Sequence, residues 1–470
     1  MNTIKTIGPA PFTSSPGPPD ELVAEIASEY GAHLAILDQR LEEAVSATGF
    51  DGAVIFAGDE RPVFRDDLTY PFRVEPYFKL WVPLTRAPGS FLRLVPGQRP
   101  MLVYKQVEDY WHEPPRDPAG YWTQHFDIRI VRSDAEARKL AGSGPRWVAI
   151  GSAAELGHGS TSTQPAINDA RFLAHMDYGR AVKTRYEVAC MRAAQAIAVR
   201  GHLAVAATYG AGVTELELHH AYLAATGQRE VELPYPNIIA LNEHAATLHY
   251  QHLRTQPSPA HRSLLIDAGA ECNGYAADIT RTHAATTDDY AQLVAAMDAL
   301  QQGLCREVRP GVEFPVLHAL ADRQIAALLR ETGILRCSAD EAVARGITRA
   351  FFPHGLGHLL GLQVHDAGGK LADATGRKRE APASAPHLRL TRTLQPGFVL
   401  TIEPGVYFIP SLLRTLLQQH EDRVNRGIIE RLLPFGGIRV EDNVEVTQDG
   451  HRNLTREAFA AATAQNRGRR

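Results

Sequence analysis

Four stretches of this sequence hold carboxylates and imidazoles in settings that call for chemistry. In the first, Ser263-Leu-Leu-Ile-Asp267, an apolar run ends in an aspartate, and Asn273-Gly274 and then Asp278 follow. Asn-Gly predicts a hairpin turn, with Asp278 on the returning strand and the two carboxylates side by side. Two such groups repel unless a proton or a cation lies between them. Surface aspartates flanking a turn are the plain alternative, and the apolar run before Asp267 argues against it. In the second stretch, Phe351-Phe-Pro-His354-Gly-Leu-Gly-His358 and on to His365, three histidines alternate with glycines that let backbone approach a site closely. Neutral imidazole is the commonest metal ligand and a versatile acid or base. The spacing is not that of a zincin helix. In the third, Phe398-Val-Leu-Thr401-Ile402 runs into Glu403 and stops at Pro404-Gly405. A carboxylate in a buried strand is expensive unless paired. The fourth, Gly437-Ile438-Arg439-Val440-Glu441-Asp442-Asn443-Val444, alternates like a strand and sets Arg439, Glu441 and Asn443 on one face. Alone, this last stretch also reads as an ordinary polar sheet face.

Together, two Asp, one His and two Glu make a hard, oxygen-rich donor set. Such a set suits Mn²⁺ best, with Co²⁺, Fe²⁺ or Zn²⁺ also admissible. Four carboxylates and one imidazole suffice to hold two divalent ions about 3.5–4 Å apart with a water between them. The water then serves as the nucleophile, without a Ser or Cys.

Something must position these residues. At 470 residues the chain exceeds one ordinary core, and two domains are expected. Residues 1–19 are rich in Pro, Ser and Gly and read as a flexible leader. Leu22, Ile26, Tyr30, Leu34, Leu37 and Leu41 predict a helix over 20–48. Apolar runs at 53–58, 91–95, 101–104, 128–131 and 147–151 read as strands, making 20–178 an N-terminal α/β domain. Thr184 and Glu187 predict a capping box that opens a long helix, ended by Gly210 and Gly212. The catalytic domain is read over 179–460, with a tail at 461–470. Gly212-Val213-Thr214-Glu215 and Gly311-Val312-Glu313-Phe314 echo one another, each opening a helix after a glycine. A duplicated half would explain the echo, as would chance. Residues 380–386 read as a loop near the mouth of the site.

Composition narrows the function classes. The hydrophobic fraction is 44%, the charged fraction 22% and the net charge −4, which is globular and offers no basic field to nucleic acid. No stretch of eighteen apolar residues suggests a membrane span, nor does the N-terminus read as a signal peptide. The four cysteines form no C-x-x-C pair, and reduced thiols in a cytoplasmic protein are expected.

The order Asp, Asp, His, Glu, Glu in these contexts resembles the pita-bread metallopeptidases, and most closely the bacterial Xaa-Pro dipeptidases (prolidases), including the branch called organophosphorus acid anhydrolases. Longer strings carry the likeness too: Tyr70-Pro-Phe-Arg-Val-Glu-Pro-Tyr-Phe-Lys-Leu-Trp81, Asp109-Tyr-Trp-His112, and Pro234-Tyr235 through Leu248-His249-Tyr250. The resemblance implies an α/β (α+β) chain, with a creatinase-like N-terminal domain before a pita-bread catalytic domain of pseudo-twofold halves. It implies hydrolysis of dipeptides ending in proline, a homodimer, and two divalent ions. Asp267 would hold one ion, His358 and Glu403 the other, and Asp278 and Glu441 would bridge them. Glu403 would also carry a proton to the leaving nitrogen. His249, His354 and His365 would line the site and stabilise the tetrahedral intermediate. Arg389 would grip the proline carboxylate through its planar fork, with Tyr235 and Arg439 as pocket residues. Asp66-Asp67-Leu68-Thr69-Tyr70 resembles a segment that usually reads Asp-Asp-His-Pro-Tyr and reaches a neighbouring subunit's site; Leu68 and Thr69 depart from that pattern.

Two other readings share these residues. One is an aminopeptidase P-like enzyme cutting longer Xaa-Pro peptides, or a hydrolase of phosphotriesters and fluoridates. The other is a binding module of the same fold, which would usually lack metal ligands.

Overall fold

A computed structural model describes residues 17–156 and 164–468. Of the leader read over residues 1–19, residues 1–16 lie outside the described ones. The first helix, α1 (Asp20–Thr48), buries all six of the apolar residues that predicted it, and Gly49 closes it in a left-handed conformation at φ 80°. The expected strands follow as β1 (Gly52–Phe56), then α2 (Pro76–Trp81), β2 (Phe91–Leu94), β3 (Met101–Lys105), β4 (Asp127–Val131), α3 (Asp134–Ala141), β5 (Trp147–Ile150), α4 (Ala153–Leu156) and β6 (Ala166–Ile167). They form one six-stranded mixed sheet in the order β4-β3-β2-β1-β5-β6.

Helix α5 (Ala170–Arg180) leads into α6 (Arg185–Thr208). The α6 capping box is closed on both sides, with Glu187 N–H donating to Thr184 Oγ1 at 3.3 Å and Thr184 N–H to Glu187 Oε2 at 2.8 Å. Thr184 Oγ1 also meets His33 Nδ1 of α1 at 2.9 Å. Thr184→Ala is therefore expected to lower stability by about 1–2 kcal/mol, read as a lower urea midpoint at unchanged slope. One apolar core runs across this junction: Leu22, Ile26 and Trp81 pack in the same cluster as Ala189 and Met191 of α6 and as Tyr275, Leu360 and Val399.

The rest of the chain repeats a plan. In the first half, α6 and α7 (Glu215–Thr226) precede β7 (Ile238–Leu241), β8 (Ser263–Asp267), the short β9 (Glu271–Cys272) and β10 (Tyr275–Ala276), and β11 (Thr280–Ala284). In the second, α8 (Asp289–Arg306), α9 (Phe314–Glu331) and α10 (Ala339–Ala344) precede β12 (Val399–Ile402) and β13 (Gly405–Tyr407). Then come α11 (Pro410–His420), α12 (Arg426–Leu432), β14 (Gly437–Arg439), β15 (Asp442–Val446), β16 (His451–Asn453) and α13 (Leu454–Gly468). In each half a strand ends at an acidic residue, a two-stranded excursion follows, and a second acidic residue stands just before the returning strand. Asp267 ends β8, β9 pairs with β10, and Asp278 precedes β11. Glu403 follows β12, β13 pairs with β14, and Glu441 precedes β15. The returning strands pair with the outgoing ones, Thr280 opposite Asp267 and Asp442 opposite Ile402. A bridge between Thr280 and Glu441 joins the halves.

Three expectations need correction. Asp278 is not in a strand: residues 277–279 interrupt the path from β10 to β11. Similarly, Val440 and Glu441 interrupt the expected fourth strand, with Glu441 paired only in the isolated bridge to Thr280. Helix α13 continues past residue 460 to Gly468, because its alanine-rich sequence holds no breaker before that glycine. Among the described residues, no helix is long and apolar enough to cross a membrane.

Candidate metal centre and active site

Asn443 shows how the seam between the halves is held. It is fully buried, and its side-chain amide clamps the Asp278 backbone on both sides. Asp278 N–H donates to Oδ1 at 2.9 Å, and Nδ2 donates to the Asp278 carbonyl at 2.5 Å. The loop carrying Asp278 is thus fixed by the second half. On the histidine loop, His358 N–H donates to Thr401 Oγ1 at 3.1 Å, and Thr401 N–H to the His358 carbonyl at 2.9 Å. Gly357 is needed for that approach, since a Cβ there would lie 2.0 Å from the Thr401 carbonyl oxygen.

The side chains converge at the seam. His358 Nδ1 donates to the Leu359 carbonyl at 3.0 Å, so Nε2 faces the carboxylates, a donor to them when the ring is charged and a free ligand atom when it is neutral. That nitrogen lies 3.5 Å from Asp278 Oδ2 and 3.5 Å from Glu403 Oε1. Ligand atoms of Asp278, His358 and Glu441 all lie within 4.8 Å of one another. Thr280 donates to Glu441 Oε2 at 2.7 Å. Tyr235 OH donates to Asp267 Oδ1 at 2.8 Å, and Arg439 Nη2 to Asp267 Oδ2 at 2.7 Å.

Electrostatics test whether this set suits a cation. Among the described residues, Arg439 is the one Arg or Lys ion-paired with any of the four carboxylates. Burial, with Asp278, Glu403 and Asp267 nearby, pushes the Glu441 carboxyl well above the usual range. Burial raises Asp267 too, against the pull of Arg439. Asp278 is held low in spite of burial, chiefly by its bond to His358. Burial tends to lower His358, but Asp278 and Glu403 raise it. Four converging carboxylates with one paired guanidinium leave negative charge that a divalent cation would neutralise. The residues fit such a group in type, number and convergence.

The remaining expected residues are arranged around a cavity of about 420 Å³. It is lined by His249, His354, His365, His387 and Arg389 together with the five carboxylate and imidazole side chains. Tyr235 lines an adjoining cavity of about 520 Å³ that shares His249, Asp267, Asp278 and His365. The His365 ring stands edge-on to His358, centroids 4.4 Å apart. Arg389 is exposed, and no ion pair or side-chain hydrogen bond engages it among the described residues. His354 is more committed than its sequence suggested: Nδ1 bonds the Gly355 carbonyl at 2.8 Å and Nε2 meets Tyr407 OH at 2.9 Å.

Tyr407 and Thr280 were not expected at the site. Tyr407 OH also accepts from Arg439 Nη1 at 2.9 Å, and Thr280 Oγ1 accepts from Arg439 Nε at 3.0 Å. Together they hold the guanidinium that faces Asp267. The signal available was proximity, Thr280 two residues after Asp278 and Tyr407 four after Glu403, but both types read as ordinary core.

Comparison with known proteins agrees with this architecture. Residues 28–178 match the profile of the Xaa-Pro dipeptidase N-terminal domain, and residues 189–448 that of metallopeptidase family M24. A Xaa-Pro dipeptidase of Stenotrophomonas maltophilia is 46% identical over 438 residues, covering 92% of this chain and 98% of the relative. One from Xanthomonas axonopodis pv. citri is 46% identical over 441 residues, covering 93% and 99%. Among solved structures, zinc-substituted Escherichia coli aminopeptidase P in complex with product superposes with a TM-score of 0.67 at 24% identity, covering 91% of this chain and 98% of that one. That likeness extends to the fold alone. With a shared N-terminal domain, a shared catalytic domain and nearly full-length identity to curated relatives, the chain belongs to metallopeptidase family M24, among the Xaa-Pro dipeptidases.

Proposed function

We propose that this protein hydrolyses dipeptides of the form Xaa-Pro and releases proline. The observation that carries the reading is Arg389, an unengaged guanidinium on the wall of the cavity that holds the convergent acidic cluster. A dipeptidase must recognise a free carboxylate close to the scissile bond, and a planar guanidinium does so with two hydrogen bonds. The nearly full-length relatives named Xaa-Pro dipeptidase support the same reading.

In this reading Asp267, Asp278, His358, Glu403 and Glu441 hold two divalent ions, which the oxygen-rich set suits best as Mn²⁺. Bound there, such ions polarise a carbonyl and lower the pKa of a water. The chain's own groups supply the rest. Glu403 sits in the metal-free site with its carboxyl pushed up to about 7, by burial and by Asp278 and Asp267, against His358 and Arg439. With cations bound that value would fall, and Glu403 as a carboxylate beside the scissile bond would take a proton and pass it on, which an imide nitrogen without N–H requires on departure. Desolvation, His358 and Arg389 hold His365 down to about 4, so it is a neutral imidazole able to donate one hydrogen bond to a developing oxyanion. Tyr235 and Arg439 orient Asp267, and His354 orients Tyr407.

Two further features belong to the reading. A hairpin at 61–70 exposes Phe64 (87%), Leu68 (67%) and Tyr70 (57%), and this apolar surface supports a homodimer. All four cysteines are unpaired, which supports a cytoplasmic setting.

The direct test loads the purified protein with Mn²⁺, Co²⁺ or Zn²⁺ and measures proline release from Xaa-Pro dipeptides beside Xaa-Pro-Xaa tripeptides. Dipeptides are expected to be preferred; no release of proline with any metal would overturn the reading. Arg389→Ala is expected to raise KM for dipeptides by about ten- to a hundredfold, the worth of a charged hydrogen-bonded pair. Steady-state kinetics would show kcat changing far less.

A further inference from the structure

The echo between Gly212-Val213-Thr214-Glu215 and Gly311-Val312-Glu313-Phe314 has no part in the ligand set, yet the first copy grips a segment that lines the cavity and the second grips the strip just after one. In the first half the grip is a side chain. Glu215 opens α7, and its carboxylate is 1% exposed. It accepts four hydrogen bonds, all from one stretch of chain. Leu241 N–H donates to Oε1 at 3.0 Å, and His244 Nδ1 lies 2.6 Å from the same oxygen. Tyr250 OH donates to Oε2 at 2.7 Å and Arg254 N–H at 2.9 Å. Between these anchors lie Leu248 and His249, which line the active-site cavity. The His244 ring stacks on Tyr250 at 4.7 Å, so the anchors also brace each other. In the second half the grip is backbone: Phe314 N–H donates to the Arg392 carbonyl at 3.1 Å and Leu394 N–H to the Val312 carbonyl at 2.8 Å. This holds the strip that follows Arg389.

We propose that Glu215 is the positioning residue for His249: its buried carboxylate ties both ends of the 241–254 segment and thereby aims that histidine at the substrate. The proposal rests on the reading of His249 as a substrate-facing group in an Xaa-Pro dipeptidase. A carboxylate is the one side chain whose two oxygens accept from four donors at once. Burial acts to raise its pKa, but the bonds from His244, Leu241, Tyr250 and Arg254 hold it low, so it is ionised throughout the neutral range. Replacing it with an amide keeps the shape and turns one acceptor into a donor aimed at other donors.

A double-mutant cycle tests this. Glu215→Gln is expected to lower kcat about tenfold or more on an Xaa-Pro dipeptide, with KM and bound metal nearly unchanged. In a His249→Ala background the same change is expected to alter kcat by less than about twofold, because its target is gone. Amide hydrogen exchange across 244–254 is expected to speed up in Glu215→Gln, with other regions unaffected. The proposal is overturned if kcat is unaffected, if the full loss recurs in the His249→Ala background, if His249→Ala itself is fully active, or if exchange across 244–254 is unchanged. Should Glu215→Gln fail to fold, Tyr250→Phe removes one donor and is expected to show a smaller loss with the same non-additivity. A wild-type protein inactive on every Xaa-Pro dipeptide would overturn the functional reading, while the exchange measurement would still decide whether Glu215 holds the segment.

Discussion

Asp278→Asn is expected to reduce kcat/KM for an Xaa-Pro dipeptide by about 10³-fold, equivalent to about 4 kcal/mol of transition-state stabilisation. Asp278 is the carboxylate on which the proposed centre turns. Its ligand atoms lie within 4.8 Å of those of His358 and Glu441, and its oxygen is 3.5 Å from His358 Nε2. An amide brings neutral, weaker coordination and N–H groups where lone pairs are needed. The fold is expected to survive, because Asn443 holds the backbone of Asp278 and not its side chain. Stability of the metal-free variant is expected to fall modestly at neutral pH, since the ionised Asp278 is favoured in the folded protein by His358 and Tyr235. Elemental analysis with thermal unfolding checks the pair of effects. Full metal content with near-normal turnover would remove Asp278 from the ligand set.

Stripping the metal is expected to destabilise the protein increasingly as pH rises from about 5 to 8. Glu403 is held up at about 7, and Glu441 and Asp267 are also raised by burial. A carboxyl whose folded pKa exceeds its unfolded value favours folding while protonated. That advantage falls away as pH climbs from the unfolded toward the folded pKa. The raised pKa of His358 acts in the same direction, its contribution being complete below the unfolded value and lost above the folded one. Asp278, held low, acts oppositely, but only toward acid pH. Metal binding needs these ligands deprotonated and strengthens as pH rises. The gap in stability between loaded and stripped protein is therefore expected to widen with pH, to about 4 kcal/mol at a thousandfold excess over Kd. Calorimetry at several pH values, with chelator or with metal, measures the gap. A gap that narrows toward alkaline pH would contradict this account of the acidic cluster.

Much of this was readable beforehand, for physical reasons. The period of Leu22 through Leu41 is a helical face, and all six residues are buried as that period requires. The Thr184–Glu187 box is purely local chemistry and forms as written. The carboxylates stood out because an apolar run leading into an acid requires a partner. What escaped were features set by distant chain. Asp278 leaves its strand because Asn443, from the other half, holds it. Glu441 breaks its strand where it bridges to Thr280. Tyr407 and Thr280 gain their roles from Arg439, which no local pattern announces. Arg389 is singled out through resemblance alone, since no local pattern marks it, and it lies exposed on the cavity wall.

The repeated plan of outgoing strand, acidic residue, excursion and second acidic residue has a kinetic consequence. Neither half holds the whole centre, so no early, locally folded unit carries it. Contacts between distant parts of a chain form slowly, and docking of the halves is expected to precede capture of the ions. Once bound, ions spanning Asp267 to Glu441 would act as a reversible cross-link over a long loop. The holoenzyme should then resist unfolding chiefly through a slower unfolding rate, with little gain in how fast it folds.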